Sequence, residues 1–220
     1  TPLTGMRLTA LHLAGTRVTD LSPLAGMPLT VLTITATAVA DIAPLKGMAL
    51  TALDLSGLPI NDLSPLVGMP LTWLDLHRSP LTSLATLQGA KLSALNLADS
   101  RVADLAPLRG MPLALLDLTN TPVIDLRPLA ATPLTTLVLD GSAVADIGPI
   151  RLLPLIELRL SGTRVTDLRP LGDDQGAGRS LERLILPTAP DKGLDVLPKS
   201  RPPPSIGGES PGDWAQIADC

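Results

Sequence analysis

Few side chains of this chain have the chemistry for catalysis or metal binding, and they lie far apart. Cys220 is the only cysteine and stands at the end of the chain without a neighbouring base. His12 and His77 fall three units apart in a repeated sequence, which is roughly 14 Å at the usual strand spacing and too far for one metal ion. The signatures of protein kinases are absent. The sequence therefore predicts no enzyme activity, no metal site and no cofactor.

Carboxylates, in contrast, recur at a fixed interval. Seven aspartates each stand directly before an (L/I)-x-P-(L/I) segment: Asp20, Asp41, Asp62, Asp104, Asp125, Asp146 and Asp167. An aspartate there suits the N-cap of a short 3₁₀ turn, and the following proline suits its first turn. The alternative is a column of carboxylates that binds cations. The proline favours capping.

A second group of polar residues is concentrated in the middle of the chain. It consists of Asp54, Trp73, Asp75, His77, Arg78, Asn96, Asp99 and Asp117. An exposed tryptophan beside an arginine is typical of interface hot spots. Carboxylates stacked about 5 Å apart repel each other unless a cation or a basic partner approaches. We predict a protein partner with a basic or mixed-charge surface. The competing interpretation is that Trp73 lies flat on its neighbours and that the aspartates are solvated strand residues.

These residues are positioned by a 21-residue unit, L-x-x-L-x-L-x-x-(T/S)-x-V-x-D-L-x-P-L-x-G-M-P. We number its opening leucine as position 1. That leucine occurs at Leu8, Leu29, Leu50, Leu71, Leu92, Leu113, Leu134 and Leu155, so the period has no insertion before Asp173. Positions 4 and 6 show the alternation of a strand, and positions 11, 14 and 17 complete an apolar interior. One unit cannot bury its apolar residues alone, and its strand needs a neighbour, so the units must stack as a solenoid.

The unit resembles the leucine-rich repeats, and within them the short internalin-like bacterial class with its D-(L/I)-x-P-L turn. The resemblance covers about residues 1–186. It implies an α/β fold, a leucine-rich repeat solenoid with a curved parallel β-sheet and short 3₁₀ turns on the convex side. Positions 3, 5, 7 and 8 would then face the concave side. Similar arrays also occur in bacterial multidomain proteins, including Ser/Thr protein kinases.

One position departs from the family pattern. The family usually has asparagine at position 9, where its amide binds backbone between adjacent turns. This chain has hydroxyl residues there: Thr16, Thr37, Ser79, Ser100, Thr121, Ser142 and Thr163. We expect these hydroxyls to make a shorter version of that bond.

The chain divides into five predicted segments. Residues 1–7 match the tail of a truncated preceding repeat, and residues 8–172 are eight repeats. Residues 173–180 form an inserted loop, and residues 181–198 a ninth strand and C-terminal cap. Residues 199–220 are a Pro/Gly-rich linker with a short terminal helix, whose Trp214 we expect to join the cap.

The composition of the chain limits which partners it can bind and in which compartment it is expected. A net charge of −4 argues against nucleic-acid binding, which needs a basic surface. No apolar run is long enough for membrane insertion. The single cysteine favours a cytoplasmic location over a disulfide-bonded secreted protein. The chain begins in the middle of a repeat, so we expect that its compartment is encoded upstream.

Three functions remain open from the sequence. The first is a scaffold for protein–protein interaction through the concave face. The second is a regulatory or docking segment of a larger bacterial Ser/Thr protein kinase. The third is a rigid spacer without a ligand, which the small residues Ala10, Ala14, Ala52 and Ala94 at exposed positions favour.

Overall fold

The protein is a stack of parallel strands, one from each repeat. The computed structural model describes residues 6–172 and 177–187. Its strands are β1 (Ala10–His12), β2 (Val31–Thr33), β3 (Ala52–Asp54), β4 (Trp73–Asp75), β5 (Ala94–Asn96), β6 (Leu115–Asp117), β7 (Thr136–Val138), β8 (Glu157–Arg159) and β9 (Arg183–Ile185). They form one parallel nine-stranded sheet in sequence order. The predicted solenoid is confirmed.

The central residue of each strand points into the core. Position 4 pairs with position 4 of the next repeat, as in Leu53 with Leu74, and both side chains are fully buried. Leucines, isoleucines and valines of the other apolar positions join them in one continuous cluster. Because the period is constant, each layer of this core is covered by the same side chains of the next repeat.

Within the described residues, eight 3₁₀ turns cover the other side of the core. They are Ser22–Leu24, Ala43–Leu45, Ser64–Leu66, Ala85–Leu87, Ala106–Leu108, Arg127–Leu129, Gly148–Ile150 and Arg169–Gly172. The side of these turns is called the convex face, and the solvent side of the sheet the concave face. In the first turn, Ser22 donates its backbone N–H to Asp20 Oδ1 at 2.8 Å. The aspartate thus caps the turn from one residue before the N-cap, which is Leu21.

The return to the next strand uses two kinds of turn. After the first 3₁₀ turn, Ala25 has φ −55° and ψ 126° and Gly26 has φ 74°, which is a type II turn. After Arg127–Leu129, Ala130 has φ −56° and ψ −19°. Position 19 there is Ala131, which has no glycine-like freedom to adopt positive φ, so the chain makes a type I turn instead.

The expectation that position 9 hydroxyls bond to the adjacent turn is wrong. Thr121 Oγ1 donates to the carbonyl of Leu118 at 2.7 Å, three residues back in its own repeat. Hydroxyls at position 2 link the repeats instead. Thr51 Oγ1 donates to the carbonyl of Thr30 at 3.1 Å, and Ser93 Oγ does the same to Thr72 at 3.0 Å. A hydroxyl at position 9 is too short to cross the gap that an asparagine amide spans.

The end of the predicted inserted loop is ordered against the last 3₁₀ turn. Helix α1 (Ala177–Ser180) is a single turn, and Ala177 donates its N–H to the carbonyl of Arg151 at 2.7 Å. A Cβ on Gly178 would collide with the carbonyl of Leu171. Residues 177–180 are therefore helix rather than loop.

Several predicted segments lie outside the described residues. They are the truncated tail up to residue 5, the first half of the insertion, most of the C-terminal cap, the linker and the terminal helix with Trp214. Their boundaries stay predictions. Within the described ranges, no helix is sufficiently long and apolar to cross a membrane.

Candidate functional site

The position 5 side chains form one column across the concave face. The sheet pairs Asp54 with Asp75, Asp75 with Asn96 and Asn96 with Asp117. The structure therefore brings together the acidic strip predicted from the sequence. Asp75, Asn96 and Asp117 are all buried in this column.

The Asp and Asn side chains at position 5 each accept a hydrogen bond from the backbone two residues later. The N–H of Ser56 donates to Asp54 Oδ1 at 2.9 Å, and that of His77 donates to Asp75 Oδ1 at 2.8 Å. Asp117 Oδ1 accepts from both the N–H and the hydroxyl of Thr119. These bonds form Asx turns that end the strands. This role was not predicted from the sequence. The pattern that could have indicated it is an Asp or Asn directly after the buried leucine of position 4.

Burial and hydrogen bonding shift the pKa values of groups in this column. Loss of water contact raises the pKa of the Asp117 carboxyl, despite its hydrogen bonds to Thr119. Burial likewise raises the pKa of Asp54, and the negative charge of Asp75 adds to that shift. The hydrogen bond to Asp75 raises the pKa of the His77 imidazole. All three shifts favour a column that carries less negative charge than its carboxylates suggest.

Trp73 is buried, so the expectation of an exposed tryptophan is wrong. Trp73 is 5% exposed. It forms a small apolar cluster with Ala52 and Ala94 on the concave face, apart from the main core. The two alanines are its register partners in β3 and β5, and their small side chains leave room for the ring. Its indole Nε1 has no hydrogen-bond partner. The structure thus supports a tryptophan that lies over its neighbours.

Position 8 has left-handed backbone in each of the eight repeats between residues 8 and 172. Glycine occupies four of these positions, but Arg78 has φ 55°, Asp99 has φ 57° and Asn120 has φ 54°. Asn120 Nδ2 donates to Asp99 Oδ1 at 2.9 Å, and Arg78 Nε lies 3.7 Å from Asp99 Oδ2. Arg78 and Asp99 therefore form an exposed polar rim beside the position 5 column.

Solved structures with this architecture are known. The internalin InlF from Listeria monocytogenes superposes with a TM-score of 0.67 at 24% identity, over 84% of this chain and 61% of its own. Internalin C2 of the same species gives a TM-score of 0.56 at 28% identity, over 83% of this chain and 71% of its own. The chain has the leucine-rich repeat fold and is similar to these internalins.

A more distant structure shows the same fold. A leucine-rich repeat protein of Leptospira interrogans has a TM-score of 0.53 at 19% identity, over 81% of this chain and 60% of its own. This leucine-rich repeat chain thus spans about three fifths of the length of InlF and of the Leptospira protein. No protein-family model matches the sequence, and no curated protein does.

The C-terminal repeats of this leucine-rich repeat protein have a different charge arrangement on the concave face. Arg159 Nε lies 2.7 Å from Asp140 Oδ2, with both side chains 15% exposed. Arg183 Nη1 lies 3.5 Å from Glu157 Oε1. In this part of the face each acid therefore faces a cation from the next repeat. The strip formed by Asp54, Asp75 and Asp117 has no arginine or lysine at position 5 within repeats 3–6.

No cluster suited to a metal ion occurs among the residues that the structure describes, when groups of three or more His, Cys, Asp or Glu are sought. The position 13 aspartates instead accept backbone N–H groups of their own turns. Asp62 Oδ1, for example, accepts the N–H of Ser64 at 2.7 Å and its Oδ2 accepts the Ser64 hydroxyl at 2.8 Å. These bonds lower the pKa of Asp62. The capping interpretation of these carboxylates has direct structural support.

Proposed function

We propose that this leucine-rich repeat protein is a non-catalytic scaffold whose concave face, in repeats 3–6, binds another protein. The partner surface is basic or of mixed charge. The proposed contact residues are Asp54, Trp73, Asp75, His77, Arg78, Asn96, Asp99 and Asp117. The likeness to internalins supports a repeat scaffold as the general role.

The observation that carries the proposal is the uneven pairing of charge along one face. In repeats 7–9, Asp140 and Glu157 have arginine partners in the adjacent repeat. In repeats 3–6, Asp54 and Asp117 are bound by their own Asx turns and burial raises their pKa values. A cation supplied by a partner would relieve both the desolvation and the repulsion.

The accessible part of the site surrounds the buried column. The side chain of Arg78 is 71% exposed, that of Asp99 is 36% exposed, and that of His77 is 33% exposed. Trp73 and Asp75 form the floor of the proposed site, because both are about 95% buried. The free energy of binding would therefore come from contacts with Arg78 and Asp99 and from the charge of the position 5 column, rather than from an exposed tryptophan.

The chain itself supplies an isosteric test. Asn96 at position 5 makes the same Asx turn through its Oδ1, which accepts the N–H of Ala98 at 3.0 Å. Asp54→Asn with Asp117→Asn should therefore remove charge and keep the fold. The matched control is Asp41→Asn with Asp104→Asn, which removes two charges at position 13, where each caps a turn in the same way.

The measurement is fluorescence anisotropy with a labelled peptide of alternating lysine and serine, and a glutamate–serine peptide as reference. We expect the position 5 variant to bind the basic peptide about tenfold more weakly, roughly the effect of two partly buried charge contacts. The position 13 variant should change affinity less than twofold. Equal losses in the two variants would show that only overall charge matters and that the concave face is not the site.

A rigid spacer is the second candidate, because every carboxylate of the column already serves its own backbone. That role predicts no preference for the concave face over position 13 in the same experiment. The kinase-segment alternative rests on the sequence resemblance alone, and no structural comparison favours it.

A further inference from the structure

A second concavity lies at the corner where the chain leaves the sheet, in repeats 5–8. It measures about 550 Å³, and we call it the rim groove. Its lining includes Arg101 and Arg164 at the two ends and Pro122, Gly141, Ala143 and Gly162 between them. We propose that the rim groove binds an extended peptide with acidic side chains at residues i and i+4.

The two ends of the groove are cationic. Arg101 and Arg164 both occupy position 10 and both are exposed. Neither makes a salt bridge with any residue that the structure describes, and no carboxylate lines the groove. Asp99, the nearest acid in sequence to Arg101, is held by Asn120 and Arg78. The groove therefore presents two guanidinium groups that are available to carboxylates, which they bind in bidentate fashion.

The middle of the groove contains a hydroxyl without a partner. Ser142 is 3% exposed and its Oγ has no hydrogen-bond partner. The equivalent hydroxyls of Thr121 and Thr163 each donate to a carbonyl in their own repeat. Ser79, the equivalent serine of repeat 4, lies outside the groove, and its Oγ is also without a partner. The unpartnered Ser142 hydroxyl is therefore not particular to the groove, and the two arginines carry the proposed binding.

The floor of the groove is low. Gly141 and Gly162 have no side chains, and a Cβ on Gly141 would collide with Asn120 Oδ1. Pro122 and Ala143 fill position 10 between the two arginines with short side chains. A peptide backbone can therefore lie close to this corner of the protein.

The spacing of the arginines matches one peptide register. Three repeats at about 4.8 Å place them roughly 14 Å apart along the solenoid. Four residues of an extended chain span about 13 Å, and residues i, i+2 and i+4 point to the same side. Acidic residues at i and i+4 would thus meet Arg101 and Arg164, and residue i+2 would lie between them over Pro122 and Ala143. A dense polyanion such as a nucleic acid carries a charge every few Å and would need more cations than these two.

The test is a ¹H–¹⁵N chemical-shift titration of the full chain with the peptide AEASAEA, acetylated and amidated. The register control is AEASEAA, which has the same composition with its glutamates three residues apart. We expect shifts at the amides of Asn120, Gly141 and Gly162 with the first peptide, and at least threefold weaker binding of the second, because only one glutamate can then face the groove.

Arg101→Gln and Arg164→Gln should each weaken binding about fivefold, the upper range for one exposed ion pair. Arg17→Gln is the matched control, because Arg17 has position 10 in repeat 1 and does not line the groove. Equal binding of the two peptides, an equal loss with Arg17→Gln, tighter binding of a sulfated disaccharide, or no shifts at millimolar peptide would overturn the proposal. Asp54→Asn with Asp117→Asn should leave this titration unchanged, so this proposal and the concave-face proposal fail separately.

Discussion

Asn96 donates a hydrogen bond from its amide nitrogen to Asp75 Oδ2, 3.0 Å away in the preceding repeat. Its Oδ1 simultaneously accepts the N–H of Ala98. One side chain therefore ends its own strand and also links two repeats. An aspartate at the same position can accept such a link, as Asp75 does, but it cannot donate one, because an ionised carboxylate has no donor. The column is thus chemically uneven, and replacing its aspartates by asparagine should have a measurable effect on stability.

We predict that Asp117→Asn stabilises the protein at pH 7 by about 1 kcal/mol, because it removes a desolvated charge and keeps an acceptor for Thr119. The pKa of Asp117 is raised in the folded state. Its contribution to stability is therefore present below the unfolded pKa and is lost as pH rises through the folded pKa. The gain from asparagine should shrink as pH falls through that folded pKa, which urea unfolding at several pH values measures.

The control for that prediction is Asp125→Asn. Contacts with Arg127 lower the pKa of Asp125 to about 2, so this carboxylate stabilises the fold above its unfolded pKa and the contribution is lost only as pH falls through the folded value. Its replacement should give no gain at pH 7. A similar gain from both substitutions would mean that reduced net charge, rather than burial of Asp117, is the cause.

The fold could be predicted from the sequence because a constant period fixes every layer of the core. Leu32, Leu53 and Leu74 had to be equivalent, and all three are fully buried. The burial of Trp73 was not predicted, because it depends on the size of its neighbours across the sheet. Ala52 and Ala94 are its register partners, and only their pairing with it shows that the ring has space to lie flat.

The sequence contains only incomplete evidence for the Asx turns and for the left-handed backbone at position 8. Glycine, Asn120 and Asp99 at position 8 are the residue types that tolerate positive φ, but Ala36 and Arg78 obscured the pattern. The rim groove depends on the direction of side chains at a corner, which the repeat pattern does not specify. The periodicity of the sequence therefore predicts the layers of the core, but it does not predict concavities on the surface.

Trp73→Ala should lower the free energy of unfolding by about 3 kcal/mol, since a buried tryptophan leaves a cavity that two alanines cannot fill. Trp73→Phe should cost less than about 1.5 kcal/mol, because it keeps most of the ring and removes the unpartnered indole N–H. Urea unfolding measures both. A cost below about 1 kcal/mol for the alanine variant would show that Trp73 is not packed as described.

Arg78→Gly should be more stable than Arg78→Ala by about 1 kcal/mol. Both variants lose the contact with Asp99, but only glycine adopts the φ of 55° at this position without strain. Glycine already occupies the equivalent position in the preceding repeat as Gly57, with φ 71°. Thermal unfolding of the two variants gives the comparison directly, and equal stability would argue that the backbone is not left-handed there in solution.

Gly141→Ala and Gly162→Ala form a matched pair, because their φ values are 67° and 68°. A Cβ on Gly162 has only ordinary contacts at 3.6 Å, whereas one on Gly141 would collide with Asn120 Oδ1. Gly141→Ala should therefore cost about 1 kcal/mol more, because it displaces Asn120 from Asp99. Adding Asn120→Gly to each variant should abolish the difference. A difference that persists in this double-mutant cycle would place its cause elsewhere.

The last prediction concerns the N-terminal layer of the core. Leu8, Leu11 and Leu13 are only partly buried, whereas Leu97, which is equivalent to Leu13, is fully buried. The amides of both position 6 residues bond to the next strand with similar lengths, 2.8 Å from Leu13 to Thr33 and 2.9 Å from Leu97 to Asp117. Hydrogen exchange at Leu13 should nevertheless be at least about tenfold faster, because opening the first repeat exposes less apolar surface than opening the fifth. Equal protection of the two amides would show that the first repeat opens only together with the rest of the solenoid.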